Sequence, residues 1–161
     1  MTSIALQPPE ISIDCAMPDD LEAIAHIDAE AFLTPWHIDS FHDALSRSYA
    51  LFFAVRNGGE LIGYSLAWLV ADELHILKFA IDKSFRSCGL GRELLEATLR
   101  RAKAKDASIA WLEVRPSNRE ALAMYTRAGF KVAYRRRRYY SDTGEDAIIL
   151  VFSLSEDAEE T

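Results

Sequence analysis

The sequence predicts an α/β fold with one mixed, mostly antiparallel sheet of about seven strands and about four helices, in a single domain spanning residues 1–161. The chain of 161 residues is 50% hydrophobic, which is enough for one domain with a substantial core. Alternating and helical hydrophobic patterns follow one another without an internal repeat. Hairpin signals precede a strand–helix–strand unit, and this order indicates antiparallel pairs joined to a parallel pair.

The N-terminal part of the chain predicts an arm, a strand and a helix. Residues 1–10 contain Pro8-Pro9 and no periodicity, which indicates a loose arm. Apolar residues alternate from Ile11 to Met17, as expected of a strand. Pro18-Asp19-Asp20 then opens a helix, because acidic residues in a first turn interact favourably with the helix dipole. Thr34-Pro35-Trp36 ends the helical pattern.

A second helix and three strands follow in the predicted order. Phe41 and Leu45 lie one turn apart in a short helix at about residues 38–46. Asn57-Gly58-Gly59 is a hairpin signal between two apolar runs. The three predicted strands cover residues 51–56, 61–70 and 72–81.

The second half of the chain predicts two helices and three strands. An amphipathic helix begins near Leu90, directly after a glycine turn, and a strand follows at residues 110–114. Ser117 or Asn118 can cap the next helix, and Gly129 stands where a helix-ending glycine is expected. Strands at 131–140 and 147–154 complete the sheet, before an acidic tail at 155–161.

Composition argues against several classes of protein. The formal net charge of −7 argues against nucleic acid as a direct partner and suits a positively charged one. The apolar stretch at 61–71 is too short to span a membrane, and the N-terminus shows no secretory signal. Cys15 and Cys88 have the spacing of neither a metal site nor a disulfide framework. We therefore expect a cytoplasmic protein without a metal, as a monomer or weak dimer.

A glycine turn is the first candidate binding element. Gly89-Leu90-Gly91 lies between a strand and a helix, where backbone amides can face a phosphate, and Arg86 and Arg92 flank it. The pattern is not the dinucleotide-binding fingerprint, because Leu94 replaces its last glycine, and it is not a Walker A motif. A plain tight turn is the alternative interpretation.

Glu113 and Tyr125 are the candidate catalytic side chains. Glu113 interrupts an apolar strand, so its carboxylate must be solvated in a cleft or paired. The alternative is an ion pair with Arg115 or another arginine. Tyr125 follows Asn118 by two turns on one helix face, and its alternative is a core aromatic.

The histidines and Cys88 give weaker signals. His26, His37, His42 and His75 show no ligand spacing and no paired carboxylate, so we interpret them as surface or hydrogen-bonded residues. Cys88 lies beside a helix N-terminus, where a nucleophilic thiol is possible, but no cysteine–histidine pattern accompanies it.

Three blocks of residues resemble the GNAT acetyltransferases. Arg86-x-x-Gly89-x-Gly91 resembles their acetyl-CoA motif, and Leu112-Glu113-Val114-Arg115-Pro116-Ser117-Asn118 with Ala121, Tyr125 and Gly129-Phe130 resembles their second block. Arg138-Tyr139-Tyr140 and Glu145-Asp146-Ala147-Ile148-Ile149, together with Pro35-Trp36 and Phe41, resemble the RimI type, the ribosomal-protein N-terminal alanine acetyltransferases. The resemblance covers residues 11–153.

The resemblance implies a fold splayed at the strand ending near Ile81 and acetyl-CoA as cofactor. The strand residues Phe79, Ala80 and Ile81 would bind its pantetheine arm. The phosphate-binding turn would consist of Arg86, Ser87, Cys88, Gly89, Leu90, Gly91 and Arg92. Asn118 would hydrogen-bond the cofactor. Glu113 would act as general base, directly or through water, and Tyr125 as general acid.

The resemblance also implies the acceptor, an N-terminal α-amine on a basic small-subunit ribosomal protein. Neutralising an α-amine at pH 7 costs about 1 kcal/mol, whereas a lysine side chain costs about 4.6 kcal/mol, so the chemistry agrees. Trp36, Tyr139 and Tyr140 would contact the acceptor. A small-molecule amine, another protein N-terminus and a catalytically silent CoA-binding module remain alternatives. The basic run Arg135-Arg136-Arg137-Arg138 either alternates along a strand or contacts cofactor, acceptor or solvent.

Overall fold

The computed structural model describes residues 10–155. The described residues form seven strands: β1 (Ile11–Cys15), β2 (Ala50–Asn57), β3 (Glu60–Val70), β4 (Glu73–Ile81), β5 (Ile109–Val114), β6 (Lys131–Arg136) and β7 (Ala147–Ser153). They also form four α-helices: α1 (Leu21–Ala31), α2 (Ile38–Leu45), α3 (Leu90–Ala104) and α4 (Arg119–Ala128). Apart from Glu10 and Ser155, the predicted arm at 1–10 and the acidic tail at 155–161 lie outside the described residues.

The seven strands form one sheet in the order β1-β2-β3-β4-β5-β7-β6. Every neighbouring pair is antiparallel except β4 and β5, which are parallel and joined through α3. The predicted α/β fold with a mixed, mostly antiparallel sheet is therefore confirmed. The first helix opens at Pro18-Asp19-Asp20 as a short 3-10 helix that leads into α1. No helix within residues 10–155 is long and apolar enough to cross a membrane.

The prediction of a strand over residues 131–140 is wrong beyond Arg136. Arg138 has a left-handed φ of 51°, and its amide donates to Asp146 Oδ1 at 3.1 Å. The Tyr140 amide donates to the Glu145 carbonyl at 3.1 Å, so these residues close a loop rather than extend β6. Of the four consecutive arginines, only Arg135 and Arg136 lie on a strand, and all four are exposed.

The sheet has a hydrophobic core on each face. Helices α3 and α4 cover one face through buried residues that include Leu94, Leu95 and Tyr125. Helices α1 and α2 cover the other face, where Ile24, Phe41 and Tyr64 are fully buried. Both faces of the central strands therefore carry apolar side chains, and a polar side chain on these strands marks an opening in the cover or a buried pair.

The parallel strands β4 and β5 separate soon after they meet. They pair at only three positions, Glu73 with Ile109, Leu74 with Ala110 and His75 with Trp111. Directly beyond these pairs, the register between β3 and β4 shifts, because Ala67 pairs with Ile76 and Leu66 with Lys78. The residue between them, Leu77, is a bulge, and a bulge bends a strand away from its neighbour. The predicted splay near Ile81 is confirmed.

A buried ion pair fastens the loop after α1 to the sheet. Asp28 is fully buried and lies 3.1 Å from Lys78 Nζ on β4, and Lys78 is itself only 7% exposed. The Asp28 carboxylate also accepts hydrogen bonds from the Trp36 amide at 2.7 Å and from the Tyr64 hydroxyl. Burial lowers the pKa of Lys78, and the Asp28 charge opposes that effect. The position of Trp36 thus depends on a carboxylate that has no access to water.

Replacement of Asp28 tests how much this buried ion pair stabilises the fold. D28N leaves the Lys78 ammonium buried without a counter-charge, so we expect a loss of about 3–5 kcal/mol in the free energy of unfolding. The matched control is D43N, because Asp43 pairs with Arg47 at 3.0 Å on the surface. Loss of such an exposed pair should lower the free energy of unfolding by less than about 1 kcal/mol. Urea unfolding measures both, and equal losses would contradict the assigned role of Asp28.

Candidate active site

The separation of β4 and β5 opens a cleft whose wall is the edge of β4. Phe79, Ala80 and Ile81 lie in the part of β4 that has no β5 partner, so their backbone groups on that side have no strand to pair with. Gly63 on β3 lets the neighbouring backbone approach closely, since a Cβ there would lie 3.0 Å from the Ala80 carbonyl oxygen. The predicted cofactor-binding strand therefore presents an open edge.

The glycine turn follows directly at the end of this edge. Ser87 and Gly89 both have left-handed φ values, 65° and 82°, which turn the chain sharply before α3 begins at Leu90. The first intrahelical donor is the Glu93 amide, so the amides of Leu90, Gly91 and Arg92 precede the helical hydrogen bonds. Such amides form an anion site at a helix N-terminus. The turn therefore has the geometry expected of a phosphate-binding element.

The arginine and cysteine side chains of the turn contact other groups of the protein. Arg86 does not extend freely, because its Nε donates to the Ile81 carbonyl at 3.0 Å. Arg92 forms an exposed pair with Glu96, with Nε and Oε1 3.0 Å apart. Cys88 is exposed, and its thiol lies 3.5 Å from the Arg86 carbonyl. Any anion held here would consequently be bound chiefly by backbone amides.

Glu113 lies on β5 where the cleft opens, with its side chain 14% exposed. It alternates with Leu112 and Val114, which are buried toward α3 and α4, so its carboxylate faces the opposite side of the sheet. Its Oε2 lies 2.7 Å from Nε2 of His75 on β4. The ion pair with Arg115 that the sequence left open is wrong, because Arg115 binds Asp142 instead.

The interpretation of the four histidines as surface or hydrogen-bonded residues is confirmed, and three of them lie beside a carboxylate that the sequence did not indicate. His75 binds Glu113, and at the surface His26 and His37 lie 3.3 Å from Glu30 and Asp39. Trp111 and Glu113 lie on one face because side chains alternate along β5, and this alternation can be recognised in the sequence. The parallel register that sets His75 beside Trp111 joins residues far apart in the chain, so no local pattern indicates it.

Tyr125 approaches the cleft from the other face of the sheet. Its ring lies in the core of α3 and α4, 6.1 Å from the Phe79 ring and 5.4 Å from Phe130. Burial raises the pKa of Tyr125 well above its ordinary value, so the hydroxyl remains protonated at neutral pH. Asn118, at the start of the same helix, caps α4 by accepting the Ala121 amide at 3.2 Å. The Tyr125 ring therefore packs within the core, and no residue in 10–155 hydrogen-bonds its hydroxyl.

A charged cluster joins two loops at the rim of the site. Arg115 makes a two-pronged contact with Asp142, at 2.8 and 2.7 Å. Asp142 also accepts a hydrogen bond from Thr34, in the loop before α2, at 3.0 Å. Ser117 donates to Glu145 at 2.9 Å. No local pattern indicates these contacts of Asp142 and Glu145, because Arg115 and Ser117 lie 27 and 28 residues away in the chain.

The predicted acceptor residues lie on these two loops. Trp36 follows Thr34, and its ring lies 5.3 Å from Phe41 and from Lys78 Nζ. The Tyr139 and Tyr140 rings meet edge to face at 5.0 Å, and the Arg115 guanidinium lies 3.9 Å above Tyr140. Burial raises the pKa of Tyr140 to about 12; Arg115 opposes that shift and the Glu113 charge adds to it. Tyr140 therefore lies within the electrostatic field of Glu113.

Within residues 10–155, no group of three or more histidine, cysteine, aspartate or glutamate side chains is arranged to hold a metal ion.

The sequence is similar to those of known acetyltransferases. Residues 21–130 match the model of the acetyltransferase (GNAT) family. The ribosomal protein bS18-alanine N-acetyltransferase of Escherichia coli K12 is 36% identical over 138 residues, which cover 84% of this chain and 93% of that protein.

A second relative and a solved structure are also similar to this chain. The N-alpha-acetyltransferase RimI of Mycobacterium tuberculosis is 31% identical over 143 residues, which cover 85% of this chain and 89% of that protein. The crystal structure of the ribosomal-protein-S18-alanine N-acetyltransferase from Escherichia coli superimposes with a TM-score of 0.85 and 32% identity. That match covers 94% of this chain and 99% of the other.

The cluster at the rim predicts a pH-dependent stability. The hydrogen bonds from Arg115 are the largest cause that holds the pKa of Asp142 well below its usual range. A carboxyl with a lower pKa in the folded state stabilises the protein above its unfolded pKa, near 4, and loses this contribution as the pH falls. The Tm of D142N should therefore be below that of the wild type at pH 7, and the difference should shrink below pH 4. A constant difference in thermal melts from pH 7 to pH 3 would contradict the role of this pair.

Proposed function

Because this chain belongs to the acetyltransferase (GNAT) family, we propose that it transfers an acetyl group from acetyl-CoA to the N-terminal α-amine of a ribosomal protein. The observation that carries the proposal is that the open edge of β4 and the Glu113 carboxylate line one cleft. The names of the relatives support the acceptor, since the Escherichia coli protein is named as an alanine N-acetyltransferase for ribosomal protein bS18.

The cofactor site would combine the β4 edge with the turn before α3. Phe79, Ala80 and Ile81 form the β4 edge that has no β5 partner, and the pantetheine arm would lie along it; the Ile81 carbonyl there already accepts a hydrogen bond from Arg86 Nε. The backbone of residues 86–92 offers its amides to the phosphates, and Gly91 brings α3 close to Met124 of α4. The exposed Asn118 would hydrogen-bond the cofactor from the start of α4. Acetyl-CoA supplies the acetyl group as a thioester, and the residues of the chain supply binding, orientation and proton transfer.

Glu113 and Tyr125 would divide the proton transfers between the two faces of the sheet. Glu113 accepts a proton from the α-ammonium of the acceptor, directly or through one water, and releases the neutral amine for attack. The cost of neutralising an α-amine at pH 7, about 1 kcal/mol, favours this acceptor over a lysine side chain. Tyr125 carries a proton at neutral pH and would deliver it to the departing sulfur, although burial raises its pKa and so makes it a weaker acid than an exposed phenol.

The acceptor would enter between the loop at Thr34-Pro35-Trp36 and the loop at Tyr139-Tyr140. The hydrogen bond between Thr34 and Asp142 connects these two loops. We assign acceptor contacts to Trp36, Tyr139 and Tyr140. The net charge of −7 suits a basic N-terminal peptide. We place the reaction in the cytoplasm, with no direct nucleic-acid contact and with the enzyme as a monomer or weak dimer.

The substrate assignment can be tested with three synthetic peptides. We expect release of free CoA thiol with a peptide that starts with alanine and copies the N-terminus of the host's small-subunit ribosomal protein. An N-blocked copy and a peptide whose only amine is a lysine side chain should show no turnover. Acetylation of the lysine peptide, or of small amines alone, would overturn the proposed acceptor.

The mechanism predicts different losses at the two catalytic positions. E113Q should lower kcat by about 10²–10⁴-fold with little change in acetyl-CoA affinity, because it removes only the proton acceptor. The loss should shrink at high pH, where the amine is already neutral. Y125F should lower kcat without this recovery at high pH. The exposed Glu22 on α1 gives the control E22Q, and wild-type kcat in E113Q would exclude Glu113 as the base.

A further inference from the structure

His75 lies at the point where the two parallel strands separate. It is the last β4 residue that pairs with β5, opposite Trp111. Two residues further along β5, Glu113 lies on the same face as Trp111, and its carboxylate reaches back to His75 Nε2 at 2.7 Å. The histidine therefore belongs to the paired, fixed end of the cleft, whereas the carboxylate lies at the open end.

The chemistry of the pair determines the direction of the hydrogen bond. An ionised carboxylate only accepts hydrogen bonds, so Nε2 of His75 carries the hydrogen and donates it to Oε2 of Glu113. Within residues 10–155, no other side chain hydrogen-bonds this carboxylate. Arg136 and Tyr140 sense its charge without binding it. Since Oε2 is occupied, Oε1 remains as the atom that can accept a proton from an amine.

His75 is itself held in a fixed orientation. Its ring stacks on the Trp111 indole with centroids 3.7 Å apart and planes 5° apart. Its side chain is 23% exposed, so water reaches the pair only in part. A stacked ring has little freedom to rotate, and its Nε2 therefore points toward Glu113 as a result of packing.

We propose that His75 is a positioning residue for acetyl transfer, which holds Glu113 with Oε1 directed to the acceptor amine. This inference rests on the proposed function, because it assumes that Glu113 is the base. A positioning role of His75 differs from a merely structural role in one measurable respect. If His75 acts through Glu113, its removal costs nothing further once Glu113 has lost its function.

A double-mutant cycle measures this dependence. H75L should lower kcat by about 10²-fold, the loss typical of a misplaced catalytic group, with unchanged acetyl-CoA affinity and peptide KM. H75Q should restore most of the rate, because the glutamine Nε2 can donate from the same place. In the E113Q background, H75L should change kcat less than about 2-fold, since residues that act as a unit are not additive. H42L, at an exposed histidine of α2, is the matched control.

Each outcome of the cycle decides the proposal. Equal losses from H75L in the wild-type and E113Q backgrounds would overturn it, because they would indicate an independent structural effect. An H75Q variant as slow as H75L would overturn it as well. Any general damage to the fold cancels in the cycle, because it is present in both backgrounds.

A second measurement separates the failure of this inference from the failure of the proposed function. Nitrogen-15 NMR of labelled histidine should show a protonated Nε2 at His75 whose signal moves in E113A and not in E22Q. An unchanged signal in E113A would overturn the inference without any acceptor being present. Absence of wild-type turnover with every peptide would instead overturn the proposed function.

Discussion

The active cleft depends on the loss of hydrogen bonding between β4 and β5 beyond His75. A parallel pair of strands normally continues for the length of the shorter strand, which would bury the edge of β4. Here the bulge at Leu77 bends β4, and the pairing ends after three residues. Beyond this bend, Phe79 to Ile81 have no partner on β5, and Glu113 has no partner on β4, although it pairs with Ile149 on β7. Cofactor edge and carboxylate thus have one structural origin.

Two aspartate-centred clusters hold the walls of this cleft in place. Asp28 is fully buried and connects the loop at Trp36 to β3 and β4. Asp142 joins the Thr34 loop to Arg115 at the end of β5. Arg115 binds Asp142 and Glu145 rather than Glu113, whose carboxylate is hydrogen-bonded to His75.

The two side chains to which we assign the proton transfers, Glu113 and Tyr125, lie on opposite faces of the sheet. Glu113 faces the side covered by α1 and α2, where the predicted acceptor loops lie. Tyr125 comes from α4, on the side of the glycine turn before α3. In the mechanism that we propose, a proton is therefore taken from the amine on one side and delivered to the leaving sulfur on the other. Burial raises the pKa of Tyr125, so the hydroxyl is protonated at neutral pH and releases its proton less readily than an exposed phenol.

The sequence by itself determined the order of the strands and helices along the chain, the glycine turn before α3, a cap at Ser117 or Asn118 and the Gly129 ending of α4. These features depend on neighbours within a few residues, so their patterns are local. It also singled out Glu113 and Tyr125 by residue type and by resemblance. Only the tertiary structure decided that Glu113 meets His75, that Arg115 meets Asp142 and that β6 ends at Arg136. These outcomes depend on strand register and loop closure between residues distant in the chain, and no local spacing encodes such contacts.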